Sequence, residues 1–171
     1  MAEPAATPID DLRFRRPTEA DYPALVALVD EWWGGRRMQP FFQRLWFQHF
    51  AGTSWLAELA DGRTAGFLVG LISPADSSIG YVKLIATNPN IRRRGLGRRL
   101  YEQFIDDVAG RGVSEVQAIT WPGNRVSVEF HRAIGFEPVG GPGSRNIYGV
   151  TAFPDYDGPG EDRVVFVRRL G

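Results

Sequence analysis

The feature that most constrains the fold is an apolar strand that runs through an arginine- and glycine-rich turn into an amphipathic helix. The segment 79–87, IGYVKLIAT, predicts a β-strand, which Asn88-Pro89 ends. The turn 92–99, RRRGLGRR, follows, and apolar residues then recur at helical spacing on one face: Leu96, Leu100, Phe104, Ile105 and Val108. A helix N-terminus attracts anions, and glycine lets a ligand approach the backbone closely. This order predicts a phosphate-binding turn, although arginines at an ordinary solvated helix start would explain the same sequence.

Helices and strands alternate along the rest of the chain. Alternating and apolar runs predict strands at 12–16, 54–60, 64–73, 113–120, 136–139 and 164–169. Helical spacing predicts helices after Thr18, a capping residue, and over 40–50 and 126–134. Asp61-Gly62 is a strong hairpin signal between two of the strands. Interspersed elements of this kind predict one mixed α/β sheet.

Composition narrows the class of protein. The 171 residues suit one domain, which we expect over residues 12–171 behind a flexible leader at 1–11. The 20 basic and 20 acidic residues balance, which argues against nucleic acid as a partner. With no cysteine and only two histidines, His49 and His131, we expect no metal site. No apolar run reaches about 18 residues, so we expect no membrane association and a cytoplasmic monomer or homodimer.

Two familiar phosphate-binding loops do not fit the turn. The pattern G-x-x-x-x-G-K-[ST] is absent, and Leu100 stands where a dinucleotide-binding fingerprint needs its third glycine. A second motif lies at 124–136 and reads NRVSVEFHRAIGF. Together with Arg92-x-x-Gly95-x-Gly97, this motif resembles the GNAT superfamily of N-acetyltransferases.

The resemblance covers roughly residues 12–170, and it implies the fold. We expect a single-domain GNAT fold of the α/β class, in which a mixed, mostly antiparallel central sheet is flanked by about four helices. The residues that match the second motif of the family are Asn124, Phe130, Gly135 and Phe136. Two positions depart from it, because Ser127 replaces a small alanine and His131 replaces a tyrosine.

The resemblance also implies acetyl-CoA as the co-substrate. In such enzymes the backbone from Arg92 to about Arg98 would wrap the pyrophosphate, and residues 85–87 would hydrogen-bond the pantetheine arm. Asn124 would contact the same arm, although it would also serve as a plain helix N-cap. Arg98, Arg99 or Arg132 would reach the 3′-phosphate or form a solvated face. The implied cofactor-binding residues are Ile85, Ala86, Thr87, Arg92, Arg93, Arg94, Gly95, Leu96, Gly97, Arg98, Asn124, Ser127 and Phe130.

The family reaction implies acetyl transfer to an amine, on a small molecule or a protein, by direct attack on the thioester. His131 stands at the place of the family's acid tyrosine, and an ordinary imidazole pKa of about 6.5 suits a proton shuttle. It would equally pack beside the cofactor without a catalytic role, and Tyr81 and Tyr101 are weaker phenol candidates. No general base stands out: Glu58 is the candidate base, although a strand glutamate commonly faces solvent, and Lys83, Asp30 and Glu31 are the other ionisable residues considered. Many enzymes of this kind use a chain of water molecules instead.

The aromatic-rich segment 31–50 is the candidate acceptor wall. In the family the first two helices and their connection line the acceptor pocket, so we expect the amine near Trp32, Trp33, Gly34 and Phe42. The helical spacing of these aromatics also fits plain core packing. The turn-rich segment 140–162 would close over the acceptor, form a mobile surface loop or make a dimer contact.

Two other functions remain open at this level. A noncatalytic acyl-CoA-binding or regulatory protein on the same fold fits the lost tyrosine and the lack of an obvious base. A nucleic-acid-binding protein would use the arginine turn and bind in a salt-sensitive way. The balanced charge and the match over two motifs argue against that last reading.

Overall fold

The computed structural model describes residues 11–92 and 94–171. The predicted leader, apart from Asp11, and the predicted cofactor-binding Arg93 lie outside these residues. The described chain forms two compact units: residues 11–71 with 84–108, the first unit, and residues 72–83 with 109–171, the second unit. The chain changes unit three times, between residues 71 and 72, 83 and 84, and 108 and 109.

The elements follow the predicted alternation. The described strands are β1 (Arg13–Arg15), β2 (Trp55–Glu58), β3 (Thr64–Ile72), β4 (Ile79–Thr87), β5 (Glu115–Thr120), β6 (Glu137–Val139), β7 (Arg145–Ile147), β8 (Val150–Ala152) and β9 (Val164–Arg169). The described α-helices are α1 (Tyr22–Trp32), α2 (Leu45–His49), α3 (Leu96–Ala109) and α4 (Arg125–Ala133). None of these helices is long and apolar enough to cross a bilayer.

The main sheet is mixed and mostly antiparallel, as predicted. Its strands are hydrogen-bonded in the order β1-β2-β3-β4-β5-β9-β6, and β7 pairs with β8 in a separate hairpin. β4 and β5 run parallel from Ile79 opposite Glu115 to Val82 opposite Ala118. The pairs β1–β2, β2–β3, β5–β9 and β6–β9 run antiparallel.

The first unit buries both faces of β3, because helices lie against each of them. The apolar face of α1 contributes Leu25, Val29 and Trp32 to a core that also contains Phe67. Burying each such side chain stabilises the fold by about 1.5–3 kcal/mol. On the other face, glycines of β3 let α3 approach closely, and a Cβ added at Gly70 would lie 2.4 Å from the Phe104 ring.

The second unit is built around β5, β9 and β6. Phe166 of β9 lies opposite Ala118 of β5 and Pro138 of β6, and its side chain is fully buried. The amphipathic helix α4 covers this surface with two buried residues, Val128 and His131. The unit therefore has its own apolar core.

The helix predicted over 40–50 is wrong in its extent. Residues Gln39–Phe41 form a single 3-10 turn, and the α-helix is limited to Leu45–His49. Between them Phe42 leaves helical geometry, with φ −103° and ψ 77°, and its side chain is completely buried. Burial of this ring in the core outweighs the local helical spacing.

The segment 140–162 is more ordered than the predicted loop, because it contains the β7–β8 hairpin. Tyr148 and Gly149 connect the two strands, with φ angles of 53° and 85°. Positive φ at both central residues is the signature of a type I′ turn. The Asn146 side chain supports this turn by accepting a hydrogen bond of 3.0 Å from the Gly149 N–H.

Candidate active site

The arginine turn leads from the end of β4 directly into α3. The Asn88 N–H donates to the Ala65 carbonyl at 2.8 Å, and this bond ties the end of β4 to β3. Gly95 has a left-handed φ of 83°, which glycine adopts without steric cost. The Arg99 N–H donates to the Gly95 carbonyl at 3.0 Å, which closes the first turn of the helix. The start of α3 therefore presents N–H groups and the positive end of its dipole beside a glycine turn.

The arginines of the turn divide into two kinds. The Arg92 guanidinium donates from Nε to the Thr87 carbonyl at 3.3 Å and from Nη2 to the Trp32 carbonyl. Arg94, Arg98 and Arg99 are exposed. Arg92 is exposed as well, so all four arginines place positive charge around the helix start, and the Arg92 side chain also bonds two main-chain oxygens.

The second half of β4 leads towards the glycine turn. The described pairing of β4 with β5 ends at Val82. The strand continues in extended form to Thr87, with Ala86 buried and its neighbours half-buried. An extended strand edge is a structure to which an added extended segment can pair. The end of β4 and the glycine turn are both among the residues predicted to bind the cofactor, and these contacts stay predictions.

Asn124 is the N-cap of α4, as predicted for its structural role. Its Oδ1 accepts a hydrogen bond of 3.2 Å from the Ser127 N–H. Ser127 lies in the first turn of the same helix and Phe130 in the second, and both side chains are partly buried. Their predicted contacts with acetyl-CoA stay predictions.

His131 lies inside the apolar core of the second unit. Only 4% of its surface is exposed, and its ring contacts Phe130, Phe136 and Phe166. Its Nδ1 lies 2.7 Å from the Ser127 carbonyl, so this nitrogen carries the proton and donates it to that oxygen. Burial lowers the pKa of His131, and the bond to the Ser127 carbonyl opposes this only in part. The neutral imidazole dominates at pH 7, which favours a packing role over that of a general acid.

Glu58 is engaged in an ion-pair network at the edge of the first unit. Its Oε1 accepts hydrogen bonds from Arg15 Nε at 2.9 Å and Nη2 at 2.6 Å. The same guanidinium also holds both Asp21 oxygens, at 2.7 and 2.9 Å, and this contact lowers the pKa of Asp21 to about 2. Two charge-assisted hydrogen bonds hold this carboxylate in place. The catalytic role of Glu58 stays a prediction, and its contacts favour a structural one.

The residues predicted near the amine divide between core and surface. Phe42 and Trp32 are buried against Phe67, with ring centroids 5.2 and 6.0 Å from it. Trp33 is half-buried and Gly34 is exposed with φ 71°. Core packing therefore accounts for Phe42 and Trp32, and the surface of this segment is formed by Trp33, Gly34 and the residues that follow.

Of the two phenol candidates, Tyr101 is buried and Tyr81 is half-buried. Tyr101 is 1% exposed in α3. Burial, together with the neighbouring Tyr156 and Asp157, raises the pKa of Tyr81 to about 12. Both positions favour packing roles.

A groove that the sequence did not indicate lies between α4 and the β7–β8 hairpin in the second unit. Its volume is about 220 Å³, and Arg125, Glu129, Arg132 and Tyr148 line it. Tyr148 is 66% exposed and makes an edge contact with Trp121, their ring centroids 5.8 Å apart. In the sequence, Tyr148-Gly149 was the one sign of the hairpin turn beside this groove. It is a weak sign, because tyrosine seldom adopts positive φ.

Comparison with known proteins agrees with this architecture. The model of the acetyltransferase (GNAT) family matches residues 19–136. An L-2,4-diaminobutyric acid acetyltransferase from Nocardia farcinica is 30% identical over 115 residues, which are 67% of this chain and 59% of the relative. A protein of the same name from Streptomyces avermitilis is 29% identical over 69% of this chain and 66% of its own length. The chain belongs to the GNAT family of acetyltransferases, and the predicted family is confirmed.

Solved structures support the same fold. A GNAT-family acetyltransferase structure from Desulfovibrio desulfuricans superposes with a TM-score of 0.74 at 20% identity, covering 94% of this chain and 99% of the other. The diaminobutyrate acetyltransferase of Paenibacillus lautus, in complex with L-2,4-diaminobutyric acid and coenzyme A, gives 0.69 at 20% identity, covering 92% and 94%. The predicted α/β fold with a mixed sheet is confirmed. The alignments to the first two relatives span about three-fifths to two-thirds of their length.

Proposed function

We propose that this protein is an N-acetyltransferase that moves an acetyl group from acetyl-CoA to an amine. The observation that carries the proposal is the left-handed Gly95 turn at the start of α3, which directly follows the extended end of β4. Family membership supports the same reading, because the family's acyl-CoA motif lies on this turn. The noncatalytic alternative binds acetyl-CoA but transfers nothing.

The proposed ligand contacts are chiefly main-chain ones. The N–H groups from Gly95 to Arg98 would hold the pyrophosphate at the positive end of the α3 dipole. The main-chain groups of Ile85–Thr87 would pair with the amides of the pantetheine arm. Arg94, Arg98 and Arg99 would add positive charge from the exposed side of the turn, where each is screened by solvent.

Bound acetyl-CoA supplies a thioester carbonyl that an amine can attack directly. The chain's part is to hold the thioester still and to keep the amine close to it, which by itself lowers the barrier substantially. The amine nitrogen forms the new amide bond as the C–S bond of the thioester breaks, and CoA leaves as the thiolate. The contacts of Glu58 and His131 favour structural roles, so water takes the proton that the amine loses and protonates the departing thiolate. Catalytic roles for both residues stay predictions with explicit tests.

The proposed acceptor is a small molecule with a free amine. The relatives whose names specify L-2,4-diaminobutyric acid support that compound as the first probe. A relative from Salmonella typhimurium, 31% identical over 45% of this chain, carries the name of a ribosomal-protein alanine acetyltransferase and supports an Ala-terminated peptide as the second probe. The proposed place for the amine is the surface formed by Trp33 and Gly34. A cytoplasmic location and the oligomeric state stay predictions.

The test combines a binding and a transfer measurement on the same preparation. Titration calorimetry measures acetyl-CoA affinity, with ATP and NAD as controls. A thiol-reactive dye then follows release of CoA when L-2,4-diaminobutyrate, the Ala-terminated peptide or a panel of amines is added, and mass spectrometry identifies the acetylated product. Binding with transfer supports the proposal, binding without any transfer favours the noncatalytic alternative, and no binding contradicts both.

A further inference from the structure

Two glycines close the end of α1, and their N–H groups bond two of its last carbonyls. The Gly34 N–H donates to the Glu31 carbonyl at 2.9 Å, and the Gly35 N–H donates to the Asp30 carbonyl at 2.8 Å. Both glycines have positive φ, at 71° and 82°. This is the Schellman arrangement, which satisfies the carbonyls of the third- and second-last helical residues. The carbonyl of Trp32, the last residue of the helix, needs a donor from elsewhere.

The side chain of Arg92 provides that donor. Its Nη2 donates to the Trp32 carbonyl, 60 residues away, and its Nε donates to the Thr87 carbonyl. A guanidinium is a rigid planar fork, so it holds two acceptors in a fixed relation. A cation at a helix C-terminus is also favoured by the helix dipole. One side chain thus joins the end of α1 to the end of β4, within the first unit.

The other end of the loop that follows α1 is also fastened. The Asp30 carboxylate accepts hydrogen bonds from the Met38 N–H at 2.7 Å and from the Gln39 N–H at 3.0 Å. The exposed residues 34–37, of sequence GGRR, lie between these two fastenings. The segment 33–37, hereafter the acceptor loop, is therefore short, glycine-rich and held at both ends.

We propose that Arg92 is a positioning residue that fastens the acceptor loop to the strand end that holds acetyl-CoA. This inference rests on the proposed function, and it gives the Arg92 side chain no contact with phosphate. The main chain of residue 92 remains part of the turn. Loss of the guanidinium frees the acceptor loop, so it weakens productive binding of the amine while the backbone cradle for CoA remains.

The test uses Arg92→Gln, which removes the charged fork, and Arg92→Lys, which keeps the charge with a single donor group. Arg99→Gln removes the same charge from an exposed position of the same turn and is the matched control. Asp30→Asn weakens the other fastening of the acceptor loop and serves as the positive control. Hydrogen exchange over residues 33–39 is measured in the ligand-free proteins, beside acetyl-CoA affinity and the KM for L-2,4-diaminobutyrate, or for the best amine of the panel.

The expected result is a rise of about tenfold or more in amide exchange of residues 33–37 in Arg92→Gln, the effect of losing a charged hydrogen-bond donor. The exchange rate of Arg92→Lys is expected to lie between those of Arg92→Gln and the wild type, and Arg99→Gln is expected to exchange at the wild-type rate. The KM for the amine rises at least about fivefold in Arg92→Gln, while acetyl-CoA affinity stays within about threefold of wild type.

Three outcomes overturn the inference: unchanged exchange in Arg92→Gln, a loss of acetyl-CoA affinity beyond about tenfold, or faster exchange with an unaltered KM. The first outcome would show that Arg92 does not hold the acceptor loop, and the second that Arg92 binds the cofactor. The third would show that the loop does not contribute to amine binding. If the wild-type protein binds no acetyl-CoA, the proposed function fails, and the exchange comparison still decides whether Arg92 fastens the loop.

Discussion

The imidazole of His131 stacks on the phenyl ring of Phe166, with ring centroids 4.8 Å apart and 12° between the planes. The resemblance to the family assigns this position to an acid, but the structure surrounds it with aromatic rings and buries it. A ring that fills a core contributes to stability by packing, whereas a general acid contributes to the reaction rate by donating its proton. The two roles give different results for the same substitutions.

His131→Phe keeps an aromatic ring in a site lined by phenyl rings. We expect the free energy of unfolding to change by less than about 1.5 kcal/mol, the scale of one lost hydrogen bond. His131→Ala, the cavity-forming control, costs about 3 kcal/mol. The kcat of His131→Phe is expected to stay near that of the wild type in the thiol-release assay. A fall of about 100-fold or more, the scale of general acid catalysis, would restore His131 as the acid.

The stability of the protein is expected to depend on pH through His131. Burial lowers its pKa in the folded state below the ordinary value of 6.5. Below that value the unfolded chain takes up a proton that the folded chain refuses, so the free energy of unfolding falls as the pH falls from 7 towards 5. Urea denaturation across this range measures the effect, with His131→Phe as the reference. Parallel pH dependence in the two proteins would show that His131 does not titrate differently on folding.

Two glycines of β3 separate a packing effect from an effect on the ligand. The atoms nearest to a Cβ at Gly70 belong to the Phe104 ring, whereas a Cβ at Gly66 meets the Ala86 carbonyl at 2.9 Å and Leu96 at 3.1 Å. We expect both alanine variants to lose about 1–3 kcal/mol of stability through overpacking. Only Gly66→Ala displaces the end of β4 and the start of α3, so only this variant weakens acetyl-CoA binding. Gly52→Ala, where a Cβ meets nothing within 4 Å, is the control. Equal affinities for the Gly66 and Gly70 variants would contradict the assigned binding surface.

Glu58→Gln tests the candidate base. The substitution keeps the shape of the side chain and removes its charge from the network around Arg15. We expect a loss of about 1–2 kcal/mol of stability, since charged hydrogen bonds are weakened in a partly exposed network. We expect Glu58→Gln to keep its activity at saturating substrates. Asp21→Asn is the control, because it alters the same network at a residue with no predicted catalytic role, and we expect it to behave in the same way. A selective loss of kcat in Glu58→Gln alone would identify Glu58 as the base.

Local sequence patterns predicted the elements whose structure depends mainly on residues adjacent in the sequence. The strand Ile79–Thr87 and the N-cap Asn124 are found as predicted, because alternation and capping are local properties. The helix over 40–50 failed because burial of Phe42 in the tertiary core overrides helical spacing. The β7–β8 hairpin was missed because Tyr148 carries none of the usual preference for positive φ.

The contacts of the site were harder to predict than its elements. The glycine turn is visible in the sequence because glycine at a helix start has a specific physical use. The direction of the Arg92 side chain depends on a carbonyl 60 residues away, and no spacing rule reports such a contact. The burial of His131 likewise depends on Phe166, which lies on a strand far along the chain.

Titration of acetyl-CoA into the wild type, Gly97→Asn and Gly97→Asp tests the central claim most directly. Gly97 lies in the first turn of α3, where an acidic residue interacts favourably with the helix dipole and glycine is a poor helix former. We therefore expect Gly97→Asp to be at least as stable to heat as the wild type. It should nevertheless bind acetyl-CoA at least about tenfold more weakly than Gly97→Asn, its uncharged counterpart, because its charge repels the pyrophosphate. Equal binding by the two variants, or no binding by the wild type, would contradict the account.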